Sequence, residues 1–431
     1  MEQEKSMFAD DGAEKLRRHG EESYSQKEYQ INDRIRCFVG FGHSNCIAIE
    51  GKTSLILIDT LDSGERAKRL KEKLENETGK AVGTIIYTHG HPDHRGGAGA
   101  FRDTVKEIIA FAPKRPQLKY MDHLNKVLGE RTRRQFGYAL SEEECINQGI
   151  GIREGHAAGD EVYEFLPPTT VYTEETAERI IDGVRLVLRA AVGETDDQIF
   201  VWLPEDRVLC CGDNYYGCWP NLYAIRGGQY RDIAAWTDSL REIMKYPAEA
   251  LLPGHTRPIM GREKIQEVLG KFCGAIESVL LKTLDCMNQG MTESETAEAV
   301  KLPEVYQGLS YLGEFYGTID WSVRAIYHGY LGWFDGNPTN LNRLSDQVMA
   351  AEILDLAGED AVLDRARARY GEGNFQMAAQ LCDLLLQAGC SREQEAKELK
   401  GNCLFKLADR ITSANGRHYY IDCAKELLDC K

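Results

Sequence analysis

The amino-acid sequence predicts an α/β domain that is followed by an all-α domain. Up to about residue 265, short runs rich in β-branched residues alternate with amphipathic helical stretches. From Arg262 onward, apolar residues recur mostly at helical spacing. The chain has 431 residues, of which 42% are hydrophobic, and this length accommodates two or three domains with packed cores. We therefore expect two structured parts of different class.

The elements of the α/β part follow from local pattern. We predict strands at residues 35–49, 53–58, 82–87, 185–192, 198–203, 207–211 and 250–252, and helices at 65–76 and 232–244. Residues 113–170 have many prolines, glycines and charges and little periodicity, so we predict an excursion that shapes a pocket. The predicted boundaries are a polar segment at 1–30, a catalytic domain at 31–265 and a helical domain at 266–431.

Within the helical part, one pair of helices stands out. Residues 366–386 and 394–409 have the pattern of a helical hairpin, with Tyr370, Gly373 and Phe375 near the start of the first helix. A single unit of this kind is weak support for a repeat array. We interpret the pair as core helices of an all-α domain.

Composition excludes several classes of function. The chain carries 52 basic and 68 acidic side chains, and this net charge of -16 disfavours binding to nucleic acid. No apolar run has the length of a membrane span, and the polar N-terminus lacks the apolar core of a secretory signal. The 13 cysteines show no CxxC spacing, so we expect no disulfide framework and a cytoplasmic protein.

The strongest chemical signal is the segment 88–94, which reads Thr-His-Gly-His-Pro-Asp-His and follows an apolar strand. In an extended loop His89 and His91 point the same way and can share one metal ion, while Asp93 and His94 can serve a second. Imidazole and carboxylate donors suit zinc, although manganese or iron is possible. Asp59 ends another predicted strand and could accept a hydrogen bond from a ligand histidine.

This segment contains the HxHxDH motif, and in this the chain resembles proteins of the metallo-β-lactamase fold. The resemblance implies an αββα sandwich. The resemblance also implies further metal ligands in three later segments. These ligands are Glu194 in Gly193-Glu194-Thr195, Asp213 in Cys211-Gly212-Asp213, and His255 in Pro253-Gly254-His255. Most of the superfamily has histidine where this chain has Glu194, but a carboxylate also binds zinc.

Glu194 narrows the resemblance to the alkyl sulfatases of the dodecyl-sulfate-hydrolase type. Residues 221–228, 290–303, 316–318 and 330–338 are similar to segments of that family, and the similarity extends over roughly residues 31–430. It implies that Asn221 and Arg226 contact the sulfate, that Tyr316 lines the pocket, and that the helical domain forms a homodimer. A guanidinium offers a planar fork that suits a tetrahedral oxyanion.

The sequence also departs from that family. Asp213 stands where glutamate is usual, and Pro220 replaces a histidine that could act as the acid for the leaving group. Asp320-Trp321 replaces a His-Asn pair. We find neither the family's export signal nor its C-terminal sterol-carrier-like domain, so we expect a short, intracellular form whose substrate chain length stays open.

The resulting hypothesis is a hydrolase of anionic small-molecule esters, most specifically alkyl sulfates. We expect two Zn²⁺ ions that generate hydroxide between them, with Asp93 and Asp213 essential for catalysis. A hydrolase of the same fold that acts on a thioester, lactone or phosphodiester is the first rival hypothesis. A di-iron redox protein fits the sequence less well, and so does a helical interaction scaffold without activity.

Overall fold

The computed structural model describes residues 7–159 and 162–429, and it confirms the order of an α/β part followed by a helical part. Two sheets form the α/β part. The first sheet contains, in spatial order, β1 (Lys27–Gln30), β2 (Ile35–Val39), β3 (Cys46–Glu50), β4 (Leu55–Ile58), β5 (Val82–Ile86), β6 (Glu107–Phe111) and β7 (Thr170–Tyr172). The second sheet contains β8 (Thr176–Ile181), β9 (Val184–Ala190), β10 (Ile199–Leu203), β11 (Val208–Gly212), β12 (Ala250–Pro253) and β13 (Ile259–Met260), also in chain order across the sheet.

Helices cover both sheets and form the C-terminal part. Those within the first 260 residues are α1 (Gly12–Ser23), α2 (Gly64–Thr78), α3 (Pro92–Arg95), α4 (Asn125–Phe136), α5 (Glu142–Cys145), α6 (Gly155–Ala158) and α7 (Ile233–Ile243). The later ones are α8 (Arg262–Asn288), α9 (Glu293–Ala299), α10 (Ile319–Leu331), α11 (Asp346–Ala357), α12 (Glu359–Gly371), α13 (Phe375–Ala388), α14 (Glu393–Arg410) and α15 (Ala414–Leu427).

Three apolar layers hold the α/β part together. Alternate residues of the two sheets, such as Ile47 and Ile58 from the first and Leu188 and Val201 from the second, pack face to face. The outer face of the first sheet packs against α2, and that of the second sheet against α7 and α8. The resulting layer order is helix, sheet, sheet, helix, as the resemblance to the metallo-β-lactamase fold implied.

Some predicted boundaries are wrong. The predicted strand at 35–49 is two antiparallel strands, β2 and β3, with a loop at 40–45 between them. Of the predicted polar segment 1–30, residues 1–6 lie outside the described structure, and Lys27–Gln30 forms β1 of the first sheet. The predicted border at 265/266 lies inside α8, because that helix packs continuously on the second sheet. The predicted helix at 366–386 is broken into α12 and α13 at Gly373, whose φ of +80° does not fit an α-helix.

The excursion at 113–170 packs against the C-terminal part. Its helix α4 contacts α15, and Arg133 of α4 binds the carboxylate of Asp422 on α15 at 2.7 Å. Gln148 and Cys145 in the same excursion are also buried. The excursion is therefore held between the sheets and the helical part, where it can form one wall of a cavity. Across the two described ranges, 7–159 and 162–429, no helix combines the length and apolar character that crossing a bilayer requires.

Candidate metal centre

The ends of parallel strands bring the motif at 88–94 together with Asp59. Strands β4 and β5 run parallel, so the residues that follow them lie at the same edge of the first sheet. Asp59 follows β4, and His89 lies three residues after β5 ends. Pro92 then begins the short helix α3, which turns Asp93 and His94 toward the interior, and His94 is fully buried.

The second sheet supplies the other donors in the same way. Strands β11 and β12 are parallel. Asp213 directly follows β11, and His255 lies two residues after the end of β12. Glu194 lies in the connection between β9 and β10. All three side chains are buried, with exposures of 5%, 1% and 1% for Glu194, Asp213 and His255. The structure therefore places every ligand suggested by the sequence at one junction of the two sheets.

The first donor group consists of His89, His91, Glu194 and Asp213. The Nε2 atom of His89 lies 3.0 Å from Nδ1 of His91 and 3.7 Å from Oδ2 of Asp213. The Nδ1 atom of His91 lies 3.3 Å from Oε2 of Glu194. The predicted pairing of His89 with His91 is thus present in the geometry, and carboxylates from the second sheet complete the set.

The second donor group is built around His94 and His255. The Nε2 atom of His94 lies 3.3 Å from Oδ2 of Asp93 and 3.5 Å from Oδ2 of Asp213. The corresponding distances from Nε2 of His255 are 3.3 Å and 3.4 Å. Donors bound at about 2.0–2.2 Å to a tetrahedral zinc ion lie about 3.3–3.6 Å from one another. The quoted separations match those of donors that share a metal ion. The mutually close sets are His94, Asp213 and His255, and His43, Asp93 and His255. Asp213 is therefore common to the first donor group and to the set that contains His94.

Unpaired buried atoms support the fit to a metal. Among the described residues, Nε2 of His94, Nε2 of His255 and Oδ1 of Asp213 are buried and have no hydrogen-bond partner. Buried polar atoms are otherwise almost always paired, because leaving one unpaired costs free energy. A divalent cation bound between the two imidazoles would satisfy both nitrogen atoms, with Oδ2 of Asp213 beside them. The nitrogen and oxygen donors present suit zinc, manganese or iron.

Charge interactions keep the acidic donors ionised. Burial opposes the charge on Asp213, but His255, His94 and His89 outweigh it and hold the pKa of that carboxyl well below its usual range. Burial likewise lowers the pKa of His255, but Asp213 and Asp93 outweigh it and raise the pKa to about 10. A metal ion would take the place of the protons that these imidazoles otherwise hold.

Asp59 is positioned to orient His94. Its Oδ2 atom accepts a hydrogen bond from Nδ1 of His94 at 2.7 Å, and the Thr88 hydroxyl and amide donate to the same carboxylate at 2.7 and 2.8 Å. With Nδ1 of His94 protonated, its Nε2 lone pair faces the other donors. Asp59 has a φ of +58°, a strained value for an aspartate that the surrounding contacts maintain.

Asp59→Asn is expected to weaken metal binding about 10- to 100-fold, because the amide cannot fix the same histidine tautomer as firmly. Competition with a chromogenic chelator would measure this change. Thr84→Ser, in the adjacent strand β5, serves as a conservative control that leaves the carboxylate unchanged. Unchanged affinity in Asp59→Asn would contradict the role assigned to this carboxylate.

Two residues that sequence reasoning did not assign hold Glu194 in place. The Tyr216 hydroxyl donates to Oε1 of Glu194 at 2.7 Å, and Nη1 of Arg231 lies 3.0 Å from the same oxygen. Oε2 is left to face His91. Burial opposes ionisation, but Arg231 and His91 lower the pKa of Glu194. The Arg231 guanidinium is therefore the cation that holds the Glu194 carboxylate in place.

A cavity of about 370 Å³ opens on the second donor group and on Glu194. Asn221, Arg226 and Tyr316, the three residues that the resemblance suggested, all line it. The Oδ1 atom of Asn221 is buried and has no partner among the described residues. Burial and the nearby Arg231 lower the pKa of Arg226, and no carboxylate in the described ranges lies within ion-pair distance of it. The predicted excursion supplies part of the wall, through residues 132–138, 150–156 and 163.

His43 is a cavity residue that sequence reasoning did not find. It lies in the loop between β2 and β3, and its Nε2 atom is 4.0 Å from Oδ2 of Asp93. Its backbone carbonyl accepts a hydrogen bond from Nδ1 of His255 at 3.0 Å. The sequence offered one signal for His43: it is one of only 10 histidines in the chain, and it lies in a loop that contains glycine.

Comparison with known proteins agrees with this geometry. Residues 39–255 match the model of the metallo-beta-lactamase superfamily, and residues 292–429 match the model for alkyl sulfatase dimerisation. A linear primary-alkylsulfatase from Pseudomonas sp. (strain ATCC 19151) is 32% identical over 393 residues, which is 88% of this chain and 73% of that protein. The chain belongs to the alkylsulfatase family of the metallo-beta-lactamase superfamily.

Other relatives support the same membership. An alkyl/aryl-sulfatase from Saccharomyces cerevisiae, BDS1, is 32% identical over 415 residues, covering 93% of this chain and 63% of that protein. The stereoselective inverting sec-alkylsulfatase Pisa1 from Pseudomonas sp. has a similar structure, with a TM-score of 0.83 at 25% identity over 94% of this chain. The chain spans 66% of the length of that structure. As an alkylsulfatase-family member, this protein is a metal-dependent hydrolase. Its cluster of histidines and carboxylates supports the binding of divalent metal.

Proposed function

We propose that this protein hydrolyses alkyl sulfate esters with two zinc ions and holds the sulfate with Asn221 and Arg226. The observation that carries the proposal is the pair of donor groups that share Asp213 and open on a cavity containing two guanidinium groups. Family membership supports sulfate esters as the substrate class.

The cavity is suited to a monoanion. Arg226 and Arg231 both line it, in a protein whose net charge is -16. Arg231 is engaged by Glu194, whereas the guanidinium of Arg226 donates to the Gly227 carbonyl at 3.2 Å and to no other group in the described part of the chain. Two nearby guanidinium groups, of which Arg226 is incompletely paired, attract an anion. A guanidinium binds an oxyanion through two parallel hydrogen bonds. Arg226 and Asn221 would therefore orient the ester for attack.

Two divalent ions held by the donor groups would activate water and neutralise charge on the ester. The protein's own groups prepare the site for this chemistry. Asp93, Asp213 and Glu194 would compensate the charge of the ions, Asp59 orients His94, and the cavity leaves room for the ester beside the donors.

Substrate profiling of metal-loaded protein tests the proposal. We expect release of sulfate from alkyl sulfates, at a rate that varies with chain length, and about two metal ions per chain by elemental analysis. Aryl sulfates test which alcohol portions of the ester the cavity accepts. Thioesters and phosphodiesters serve as controls, and hydrolysis of one of these without hydrolysis of any sulfate would overturn the proposed function.

Arg226→Ala is expected to raise KM for an alkyl sulfate about 10- to 100-fold, because the substrate loses a charged hydrogen-bond donor. Steady-state kinetics would measure the change. Arg207→Ala removes an exposed arginine that pairs with Glu249 outside the cavity, and it should leave KM unchanged. Equal KM values in all three proteins would rule out sulfate binding by Arg226.

We also propose that the helical part forms a homodimer. The loop after α10 and helix α11 expose large apolar side chains: Trp333, Leu341, Leu344, Val348 and Leu356 are 71%, 64%, 57%, 51% and 80% exposed. A contiguous stretch of exposed apolar residues is typical of a protein interface. The match of residues 292–429 to the dimerisation model supports a second copy as the partner.

The variant Leu344→Asp/Val348→Asp is expected to shift the protein from dimer to monomer, because two charges would be buried at the interface. Light scattering at several concentrations would show the change in mass. Ile180→Asp, at a more exposed apolar position on β8, is the control and should leave the mass unchanged. A monomeric parent protein would refute the homodimer.

A further inference from the structure

Two side chains connect the carboxylate of Glu194 to the backbone of Asn221, which lines the cavity. The Tyr216 hydroxyl donates a hydrogen bond to Oε1 of Glu194 at 2.7 Å and accepts one from the backbone amide of Asn221 at 2.5 Å. The Nη1 atom of Arg231 lies 3.0 Å from the same carboxylate oxygen and also donates to the backbone carbonyl of Asn221. Both backbone polar groups of Asn221 are therefore bonded to side chains that also hold Glu194.

This network is buried throughout. Tyr216 is 0% exposed, Asn221 is 2% exposed and Glu194 is 5% exposed. The side chain of Arg231 is 9% exposed. A hydroxyl has one proton to donate, and that of Tyr216 is directed to the carboxylate while its oxygen receives the amide proton of Asn221. Loss of this hydroxyl would leave a buried carboxylate oxygen and a buried amide each short of a partner, which costs free energy.

The side chain of Asn221 differs from its backbone. Its Oδ1 atom is buried and has no hydrogen-bond partner in the described part of the chain. With the backbone fixed at both its amide and its carbonyl, the point from which this side chain extends into the cavity is fixed as well. The placement of the Asn221 amide against a bound anion therefore depends on Tyr216 and Arg231.

Tyr216 acts at a distance from the ester, because it does not belong to the described residues that line the cavity. Its ring lies 6.0 Å, between ring centroids, from the rings of both His255 and Tyr316. Phenylalanine at this position would keep these ring contacts and would remove only the two hydrogen bonds of the hydroxyl. Arg231, in contrast, lines the cavity itself and can contact an anion directly. Tyr216 is therefore the residue on which the connection can be tested cleanly.

We propose that Tyr216, together with Arg231, is a positioning residue that serves two tasks at once: metal binding through Glu194 and anion binding through Asn221. The assignment rests on the proposed function, in which Asn221 holds the sulfate. The Tyr216 hydroxyl engages Oε1 of Glu194 and leaves Oε2 to face His91 within the first donor group. The same hydroxyl sets the backbone from which the Asn221 amide reaches the ester.

A double-mutant cycle of Tyr216→Phe with Asn221→Ala tests the connection to the anion. The probe is octanesulfonate, which carries a sulfate-like anionic group on a carbon–sulfur bond that is not hydrolysed, and calorimetry with zinc in excess measures its binding. We expect Tyr216→Phe to weaken this binding about three- to tenfold, the effect of one hydrogen bond. In the Asn221→Ala background the same change should have almost no effect, because the side chain through which it acts is gone.

Competition with a chromogenic chelator tests the connection to the metal. Tyr216→Phe should lower zinc affinity about tenfold or more both with Asn221 and with alanine in its place, because Glu194 loses a partner in each case. Tyr327→Phe is the matched control. It removes a buried tyrosine hydroxyl that donates to the Met291 carbonyl at 3.3 Å in the helical part, and it should change neither affinity. Elemental analysis should show equal zinc content in all proteins under the conditions of the calorimetry.

The outcomes separate the two proposals. Equal weakening of octanesulfonate binding in both backgrounds, or none in either, would overturn the positioning role of Tyr216 while the proposed function stands. Unchanged zinc affinity in Tyr216→Phe would overturn it too, as would the absence of octanesulfonate binding to the zinc-loaded parent protein. Failure of the parent protein to release sulfate from any alkyl sulfate would instead overturn the proposed function.

Discussion

Asp93→Ala and His255→Ala are each expected to abolish hydrolysis of sulfate esters, with kcat/KM reduced by about 10⁴-fold or more, because the second metal ion loses a donor. Each residue supplies an atom of the group in which donors lie 3.3–3.5 Å apart. Removing one leaves the remaining buried carboxylates and imidazoles without a compensating ion. Bound metal should fall from about two ions per chain toward one.

The measurement pairs steady-state kinetics with elemental analysis. Circular dichroism and light scattering should show an unchanged fold and assembly state, because both side chains face the cavity rather than the apolar core. Asp196→Ala is a matched control. It removes a carboxylate two residues from Glu194 whose contacts are with Arg115 and Gln117, outside the donor groups. Activity that survives in both Asp93→Ala and His255→Ala would defeat the metal-hydrolase mechanism.

Gly254→Ala is expected to have an effect almost as large without removing any donor. A Cβ atom at this position would lie 2.1 Å from Oδ1 of Asp213 and 2.9 Å from Cε1 of His94. Neither distance is sterically possible, and both neighbours are held in a packed interior. The shared carboxylate must therefore move away from both donor groups. We expect metal affinity and hydrolysis each to fall about 100-fold or more, as misplaced catalytic groups do.

Gly270→Ala is the control for this change. Gly270 lies in α8, and a Cβ atom there would have no neighbour within 4 Å. That substitution should leave metal content unchanged and stabilise the helix by up to about 1 kcal/mol. Calorimetric unfolding of the two variants would separate a local loss of metal from general destabilisation. Full metal occupancy in Gly254→Ala would show that Asp213 is not the shared donor.

The local sequence determined the outline of the molecule. Runs of β-branched residues indicated strands of both sheets. The segment 88–94 indicated a metal site, because its donors lie within seven residues. Resemblance to a known family supplied Glu194, Asp213 and His255, which are far apart in the chain. The structure places all of them at one junction of the two sheets.

Boundaries and partners were less accessible to sequence reasoning. The break at Gly373 and the pairing of β1 with β2 depend on tertiary packing. Helix α8 continues past the predicted border because its apolar residues pack on the second sheet. His43 and Arg231 have no local pattern that assigns them a role. Each acquires one only through contact with a residue distant in the chain, Asp93 for His43 and Glu194 for Arg231.

The net charge of -16 and the motif at 88–94 were sufficient to predict an acidic protein with a metal centre. The family resemblance implied that Asp213 is a bridging carboxylate, and the structure places it in two donor groups. Tertiary structure alone decided that Glu194 is anchored by Arg231 and that Glu154 is buried in the cavity beside the metal donors. The physical reason is that ligand geometry and burial depend on distances between chain segments. Parallel strand ends and the packing of the excursion set those distances, and neither can be derived from local residue pattern.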